Sequence, residues 1–353
     1  MEERKICTHC GTEVEVSDGE YFDGQFYCRA CLDELTIVCE NCDERIWRED
    51  SVEDRICQHC YDNHYSRCEC CGRLMHSDDA NYYNGYVYCD DCYNSRHHEV
   101  IEDYDYKPTP IFYGEGQPHY GVELEIDCGG EYDSSAEDFD EIANKEHTHL
   151  YFKHDGSLDD GIEIVSHPAT LDYHVHNIPW KAVMQRAREL KYLSHTAQTC
   201  GLHVHINRAA LGETVEEQEN TIGRIVYFFE KFWTEILRFS RRTEGQANRW
   251  AARYCCSMIN PKESLKDAKK SCLGRYTAVN LTNLFTVELR IFRGTLRYET
   301  FAETLQFVDK LCHDAIELSD EQFQTMTWAD FAGSVKDMPE LTDYLKIRGL
   351  EAK

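Results

Sequence analysis

The segment Gly121-Val-Glu-Leu-Glu-Ile-Asp127 alternates apolar and acidic side chains. Successive side chains of a β-strand point to opposite faces, so this segment would present one apolar and one polar face. Three later segments share the design: Ile162-Glu-Ile-Val-Ser166, Gly201-Leu-His-Val-His-Ile-Asn207 and Thr286-Val-Glu-Leu-Arg-Ile-Phe-Arg293. Paired in one sheet, they would form an apolar back and a front of carboxylates, imidazoles and guanidinium groups. Such a front suits divalent metal ions and phosphate.

The length of the chain indicates its number of domains, and its net charge restricts the class of partner that it can bind. The chain has 353 residues, enough for two or three domains, and a formal charge of -28 at pH 7. Acidic surfaces repel phosphate backbones, which argues against nucleic acid as the main partner. No apolar run approaches the roughly 18–20 residues of a bilayer span, and the first residues lack a signal-peptide core. We therefore predict a cytoplasmic protein without a membrane segment, whose cysteines are thiols or metal ligands and not disulfides.

Cysteines are concentrated near the start of the chain. Thirteen of the 19 precede residue 93, and twelve of these form six Cys-x-x-Cys pairs separated by 17, 7, 14, 7 and 17 residues. The spacing predicts three tandem modules over residues 1–93, each closing one four-cysteine zinc site. Sequential pairing is favoured over interleaved pairing, because the repeat boundaries fall at the seven-residue gaps. The predicted ligands are Cys7, Cys10, Cys28, Cys31, Cys39, Cys42, Cys57, Cys60, Cys68, Cys71, Cys89 and Cys92. Cys70 is an alternative to Cys71, although the Cys-x-x-Cys spacing favours Cys71.

The modules resemble LIM and zinc-ribbon domains, which commonly bind protein segments. This resemblance implies a docking platform for a protein or peptide. The simpler alternative is a set of small folds that zinc stabilises and that have no separate role.

The rest of the chain mixes strands with helices. Residues 94–118 contain several prolines and are predicted to be a linker. In the domain predicted for residues 119–353, residues 214–241 give the clearest helix, with Thr214 and Glu217 forming a capping box. This order of elements predicts an α+β domain with a mostly antiparallel sheet.

The four strand motifs, in this order, resemble those of the amidoligase family. This family groups carboxylate–amine ligases related to glutamine synthetase and glutamate–cysteine ligase. The motifs are Gly121-Val-Glu-Leu-Glu125, Asp155-Gly-Ser-Leu158 with Glu163-Ile-Val-Ser166, Gly201-Leu-His-Val-His205 and Val287-Glu-Leu-Arg-Ile-Phe-Arg-Gly-Thr-Leu296. The resemblance covers roughly residues 107–315, and it implies a glutamine synthetase-like domain with a curved, mostly antiparallel sheet.

The resemblance also implies roles for individual residues. In glutamine synthetase-like enzymes, the acids and the first histidine of these strands hold the divalent ions that bind ATP phosphates. The implied Mg²⁺ or Mn²⁺ ligands are Glu123, Glu125, Glu163, His203 and Glu288, which with Arg290 form the expected catalytic set. The implied contacts to nucleotide, phosphoryl group or substrate are His205, Arg293, Asp155, Ser157, Arg242 and Arg275.

The leading interpretation is an ATP-dependent ligase that forms an amide or peptide-like bond through an acyl phosphate. Its zinc modules would recruit a protein or peptide substrate. One alternative is a catalytically inactive adaptor that binds nucleotide or peptide, and another is a related phosphotransferase such as a guanidino kinase. A nucleic-acid-binding zinc protein ranks last. The sequence leaves open the carboxylate and amine substrates and the oligomeric state.

Overall fold

A computed structural model describes residues 3–83, 85–96 and 100–352. The chain separates into two compact units, Met1–His98 and Glu99–Lys353.

In the first unit, two short antiparallel hairpins followed by a seven-residue helix occur three times in succession. The elements of the first repeat are β1 (Arg4–Ile6), β2 (Glu13–Glu15), β3 (Gly19–Phe22), β4 (Gln25–Cys28) and α1 (Arg29–Leu35). Those of the second are β5 (Thr36–Val38), β6 (Arg45–Trp47), β7 (Ser51–Val52), β8 (Ile56–Cys57) and α2 (Gln58–His64). Those of the third are β9 (Tyr65–Arg67), β10 (Leu74–His76), β11 (Asn81–Tyr83), β12 (Tyr86–Tyr88) and α3 (Asp90–Arg96).

The Cys-x-x-Cys pairs explain why each repeat folds this way. In the turn between β1 and β2, the Gly11 N–H donates to the Cys7 carbonyl at 2.9 Å, and Gly11 has φ +71°. This left-handed conformation costs a glycine little, and Gly72 adopts it at the same place in the third repeat. The second pair spans the start of the helix: Cys28 precedes α1, and Cys31 lies in its first turn. Each repeat therefore brings two cysteine pairs together around a very small core.

The second unit contains a seven-stranded sheet covered by helices. Its strands are β13 (Ile101–Glu102), β14 (Tyr120–Ile126), β15 (Leu150–Lys153), β16 (Ile162–Ser166), β17 (Gly201–Asn207), β18 (Val279–Asn280) and β19 (Thr286–Arg293). Its helices are α4 (Asp133–Ala143), α5 (Leu171–His176), α6 (Trp180–Glu189), α7 (Val215–Lys231), α8 (Trp233–Ser240), α9 (Glu244–Trp250), α10 (Pro261–Lys270), α11 (Tyr298–Glu317), α12 (Asp320–Thr325), α13 (Trp328–Ser334) and α14 (Pro339–Arg348).

The strand order is β13-β15-β16-β14-β17-β19-β18, and every neighbouring pair is antiparallel except β13 with β15. This confirms the predicted α+β class and the mostly antiparallel sheet. Strand β13 lies within the 94–118 segment, so part of that segment belongs to the sheet.

The apolar back of the sheet lies in the main core of this unit. Val122, Leu124, Val204 and Leu289 are fully buried, in one cluster with side chains of α6, α7 and α11. Burying this face stabilises the pairing register, because a shift of one residue would exchange the apolar and polar faces. The sheet therefore holds its polar side chains on the opposite face.

The helix predicted for residues 214–241 forms as two helices, α7 and α8. Thr214 and Glu217 make the predicted capping box at the start of α7. The break falls at Phe232 (φ −106°, ψ 31°), whose ring packs between Phe228 and Trp328 at centroid distances of 4.9 and 5.7 Å. Among the helices of the described ranges, none has the length and apolarity that a bilayer crossing requires.

Candidate active site

The front of the sheet gathers the polar side chains of its four central strands. Glu123 on β14 lies opposite His203 on β17, and Glu125 lies opposite Glu163 on β16. His205 on β17 lies opposite Glu288 on β19. The residues predicted from the alternating pattern are thus brought together by the strand register.

Two histidines of β17 contact the same glutamate of β14. One carboxylate oxygen of Glu123 lies 3.1 Å from Nδ1 of His203, and its other carboxylate oxygen lies 3.1 Å from Nε2 of His205. Nδ1 of His203 also lies 3.7 Å from a carboxylate oxygen of Glu288. Glu123, His203 and Glu288 thus offer ligand atoms within 4.8 Å of one another, a spacing that could hold a metal ion.

A second group overlaps the first. Glu125, Glu163 and His203 also offer ligand atoms within 4.8 Å of one another, and all three are buried. Nε2 of His203 lies 3.6 Å from Glu125, and Glu125 accepts a hydrogen bond from the backbone N–H of Gly201. His203 is therefore shared between the two groups.

Glu288 is held by three side chains from nearby segments. It accepts hydrogen bonds from Asn280 Nδ2 at 2.7 Å, from Asn283 Nδ2 at 3.0 Å and from Arg290. Burial opposes its ionisation, but the positive charge of His205 lowers the pKa of Glu288 below its ordinary value. The carboxylate is thus fixed in place.

A β-bulge shapes the end of the site. The register between β17 and β19 shifts between Leu202 and Val204, so two residues of β19, Arg290 and Ile291, oppose His203. Beyond the bulge, Arg293 lies opposite Gly201 and shares the front with it. The buried Arg242 donates to the carbonyls of Ile291 (3.0 Å) and Phe292 (3.3 Å), which braces the bulge.

Gly201 is required by the close packing of His203. A Cβ atom at position 201 would lie 2.5 Å from Nε2 of His203 and 3.0 Å from Nη2 of Arg242. A side chain there would displace the imidazole or the guanidinium. The Gly-x-His part of the motif thus has a steric cause.

The charges of the front residues shift one another's pKa values. Burial opposes ionisation of Glu123, but the adjacent imidazoles of His205 and His203 hold its pKa well below the ordinary value. Burial likewise opposes protonation of His205, yet Glu123 and Glu288 raise its pKa to about 8. For Glu163, burial and the charge of Glu123 raise the pKa well above its ordinary value. The front thus holds paired charges in a partly desolvated site, an arrangement typical of functional sites.

A cavity of about 720 Å³ lies over this front. It is lined by the predicted residues Glu123, Glu125, Asp155, Ser157, Glu163, His203, His205, Arg242, Arg275, Glu288 and Arg290. Arg293 is the predicted site residue that does not line it. The Ser157 N–H donates to Asp155 at 2.7 Å, which closes the turn before β16. Arg275 donates to the hydroxyls of Tyr104 and Tyr276 at the mouth of the cavity.

Several lining residues were missed by the sequence reasoning. Lys153 is buried beside Glu163, with Nζ 3.4 Å from the carboxylate, and Tyr104 comes from the segment predicted to be a linker. Asn280 and Asn283 reach Glu288 from β18 and the loop that follows it. Lys153 follows Tyr151 at a spacing of two residues along β15, so the alternating pattern could have placed Lys153 on the front.

The cysteines of the first unit form three separate groups. The groups are Cys7, Cys10, Cys28 and Cys31; Cys39, Cys42, Cys57 and Cys60; and Cys68, Cys71, Cys89 and Cys92, each with its sulfur atoms within 4.8 Å. This grouping follows the sequential pairing and uses Cys71 in place of Cys70.

The thiols of one group differ in acidity. Burial raises the pKa of Cys39, but hydrogen bonds from backbone N–H groups, that of Cys57 first, lower it to about 6. In the same group the pKa of Cys42 is raised to about 12, although the backbone of Glu44 opposes the rise, because the other cysteines of the group surround it. Four thiolates need a cation to be charged together, and tetrahedral sulfur sites of this kind suit Zn²⁺.

Comparison with known proteins identifies one part of the chain. Residues 138–312 match the family model described as "Putative amidoligase enzyme". We call these residues the amidoligase segment. The resemblance predicted from the four motifs is thereby confirmed. No curated protein matches the sequence significantly.

One solved structure shows a weak likeness to this chain. It is a bifunctional glutathione synthetase from Pasteurella multocida, with a TM-score of 0.39 and 12% identity. The alignment covers 65% of this chain and 46% of that protein, so the chain spans less than half of it. A TM-score of this size does not establish a shared fold.

The amidoligase segment contains Glu163, His203, Glu288 and Arg290 of the front cluster. Glu123 and Glu125 lie just before it, on β14. Carboxylates with one imidazole are a donor set that suits Mg²⁺ or Mn²⁺. Nε of Arg290 is buried without a hydrogen-bond partner, as expected of a donor that awaits an anion such as phosphate. The site that the amidoligase segment shares with β14 therefore fits both a divalent metal and a phosphate.

Proposed function

We propose that the second unit is an ATP-dependent carboxylate–amine ligase. The observation that carries this proposal is the overlap of two acidic–histidine groups with Arg290 under one cavity. The amidoligase family match over residues 138–312 supports the same class of reaction. The proposed metal ligands are Glu123, Glu125, Glu163, His203 and Glu288.

We also propose that the domain has a glutamine synthetase-like fold. The support comes from the mostly antiparallel sheet whose one face carries the acids and histidines. In this arrangement the nucleotide phosphates lie against the front of β14, β17 and β19.

The proposed reaction has two steps. In the first, the γ-phosphoryl group of ATP is transferred to an oxygen of a substrate carboxylate, which gives ADP and an acyl phosphate. In the second, an amine nitrogen attacks the acyl carbon and loses a proton, and phosphate leaves as the amide bond forms. A divalent metal bound at the front would neutralise phosphate charge.

The protein's own residues position and stabilise the reacting groups. Arg290 lines the cavity and supplies donors to the transferred phosphoryl group, because phosphoryl transfer depends mainly on positioning and charge stabilisation. Arg293 supplies further positive charge beyond the bulge, and Arg242 keeps the bulge in place. His205 would lie close to the nucleotide, while Asp155 and Ser157 would orient substrate or nucleotide from their turn.

We propose that the three cysteine modules hold structural zinc and recruit a protein or peptide substrate. The support is their repeated two-hairpin form and their resemblance to LIM and zinc-ribbon domains. In this proposal the three modules together bind the protein or peptide substrate, and the second unit catalyses the reaction.

The test measures phosphate release from Mg-ATP or Mn-ATP by the full chain. It is run with and without a pooled mixture of amino acids and polyamines, with Glu288→Ala as the control variant. Release that requires the mixture and disappears in Glu288→Ala supports the ligase. Turnover that is unchanged in Glu288→Ala removes Glu288 from the site, and absence of both release and ATP binding favours the inactive adaptor.

A further inference from the structure

Lys153 is a buried cation at one end of the acidic front. Its side chain is 10% exposed, and its neighbour Glu163 is directly opposite it in the register of β15 and β16. Nζ lies 3.4 Å from the Glu163 carboxylate and 5.4 Å from the centre of the Tyr104 ring. A buried lysine costs several kcal/mol of desolvation unless a negative group compensates it. The Glu163 carboxylate is the acidic group in contact with it, and the ammonium charge of Lys153 in turn opposes the rise in the pKa of Glu163.

The two acidic–histidine groups compete for a single imidazole. A neutral imidazole has one nitrogen with a free lone pair, while the other carries a hydrogen. Nδ1 of His203 faces Glu123 and Glu288, whereas Nε2 faces Glu125. One histidine in neutral form can therefore ligate a metal ion in only one of the two groups.

The surroundings of His203 indicate which nitrogen is available. Nε2 is packed against the backbone at Gly201, where even a methyl group would approach it to 2.5 Å. Nδ1 points between two carboxylates that can share an ion with it. The tautomer that suits metal binding therefore has its free lone pair on Nδ1 and its hydrogen on Nε2.

We propose that Lys153 takes the place of a second divalent cation beside Glu125 and Glu163. Without nucleotide, the front of the sheet then binds one metal ion. That ion is held by Glu123, Glu288 and Nδ1 of His203. The Lys153 ammonium neutralises Glu163, and a second divalent ion beside it would meet a positive charge. This inference rests on the proposed function, because it divides the proposed metal ligands between a metal and a lysine.

Glu125 then has a different role from Glu123. Its carboxylate lies 3.6 Å from Nε2 of His203 and favours the tautomer with the hydrogen on that nitrogen, which leaves Nδ1 free, while the Gly201 N–H donates to Glu125 itself. Glu125 is thus a positioning residue. Removing such a partner of a metal-bound histidine typically weakens metal affinity about 10- to 100-fold without removing the site.

The experiment counts Mn²⁺ ions bound to the full chain with its zinc retained and without nucleotide. Free Mn²⁺ is followed by electron paramagnetic resonance. Oxygen and nitrogen ligands suit Mn²⁺, so the thiolate groups do not compete for it. We expect one ion per wild-type chain, none in Glu288→Gln, and one in Glu163→Gln. In Glu125→Gln, we expect one ion bound about 10- to 100-fold more weakly.

Lys153 variants decide the proposal. Lys153→Met should admit a second ion, with the spectral coupling of a manganese pair, while Lys153→Arg keeps the charge and should remain at one ion. Lys153→Gln serves as a second neutral variant if Lys153→Met does not fold. Two ions in the wild type, loss of the ion in Glu163→Gln, or one ion in both neutral variants would overturn the role of Lys153.

The failure of this inference differs from the failure of the ligase. Two ions in the wild type, together with phosphate release that depends on Glu288, would leave the ligase standing and remove the role of Lys153. No Mn²⁺ binding that depends on Glu288 would remove both.

Discussion

Glu123 and His203 lie directly opposite each other on neighbouring antiparallel strands, and Nδ1 of His203 is 3.1 Å from a Glu123 carboxylate oxygen. This pairing joins the first and third strand motifs, which are 80 residues apart in the chain. Each motif alone is an ordinary half-buried strand. Their pairing across β14 and β17 turns two polar strand faces into one site, with Glu288 of β19 completing the group.

Gly201→Ala should disturb this site without unfolding the domain. The added Cβ would lie 2.5 Å from His203 Nε2, and overpacking of this kind costs roughly 1–3 kcal/mol. We expect weaker Mn²⁺ binding and slower phosphate release. Gly121→Ala is the matched control on the adjacent strand, because its Cβ would meet its nearest atom at an ordinary 3.6 Å. Equal Mn²⁺ affinities in the two variants would contradict the steric role of Gly201.

The alternation of apolar and polar residues is sufficient to predict the front of the sheet. Strands of period two fix which side chains share a face, and the burial of Val122 and Val204 shows that the face was assigned correctly. The same alternation along β15 could place Lys153 on the front, but not its burial beside Glu163, which depends on the pairing of β15 with β16. The position of Arg293 depends on the bulge, which shifts the alternation by one residue. The contribution of Tyr104 depends on how the 94–118 segment passes the cavity mouth, which no local pattern encodes.

The cysteine groups predict a selective loss of zinc. Cys70 and Cys71 are both exposed, but only Cys71 belongs to the third group. We expect about three zinc ions in the wild type and in Cys70→Ala, and about two in Cys71→Ala. Elemental analysis after gel filtration measures this.

Chelation should also unfold the first unit, because its repeats have very small apolar cores. Circular dichroism should follow the zinc release. Retention of all zinc by Cys71→Ala, or a chelated protein with an unchanged spectrum, would contradict the three-module assignment.

His174 should make the second unit less stable in acid. Because Trp180 Nε1–H is only a donor, it must donate to Nδ1 of His174 (3.2 Å), and Nε2–H then donates to the Tyr120 carbonyl (2.8 Å). Burial lowers the pKa of His174 to about 4, from 6.5. The folded state therefore binds fewer protons than the unfolded state between these pH values, so this contribution to stability is lost as pH falls from about 6.5 to about 4. The expected loss is roughly 3 kcal/mol over that whole range and about 2 kcal/mol by pH 5.

Denaturant unfolding at pH 7 and pH 5 measures this effect. His174→Gln should reduce the loss of stability between the two pH values. His176→Gln, an exposed position on the same helix, should leave it unchanged. Titration of the His174 ring near pH 6.5, followed by nuclear magnetic resonance, would show that the histidine is not held neutral.

Arg290 and Arg293 should differ in their effect on catalysis. Arg290 lines the cavity and donates to Glu288, whereas Arg293 lies beyond the bulge and outside the cavity lining; Nε of each is buried without an acceptor. Removing one preorganised donor to a developing charge typically costs about 10²- to 10³-fold in rate. We expect a loss of that size in phosphate release for Arg290→Met and a smaller loss for Arg293→Met. Mn²⁺ affinity is measured in both variants and the rates are compared at saturating Mn²⁺, because Arg290 also donates to the proposed ligand Glu288. Arg290→Lys should rescue little, since an ammonium group does not reproduce the planar fork of a guanidinium.

A larger loss in Arg293→Met than in Arg290→Met would exchange the two roles and place the transferred phosphoryl group beyond the bulge.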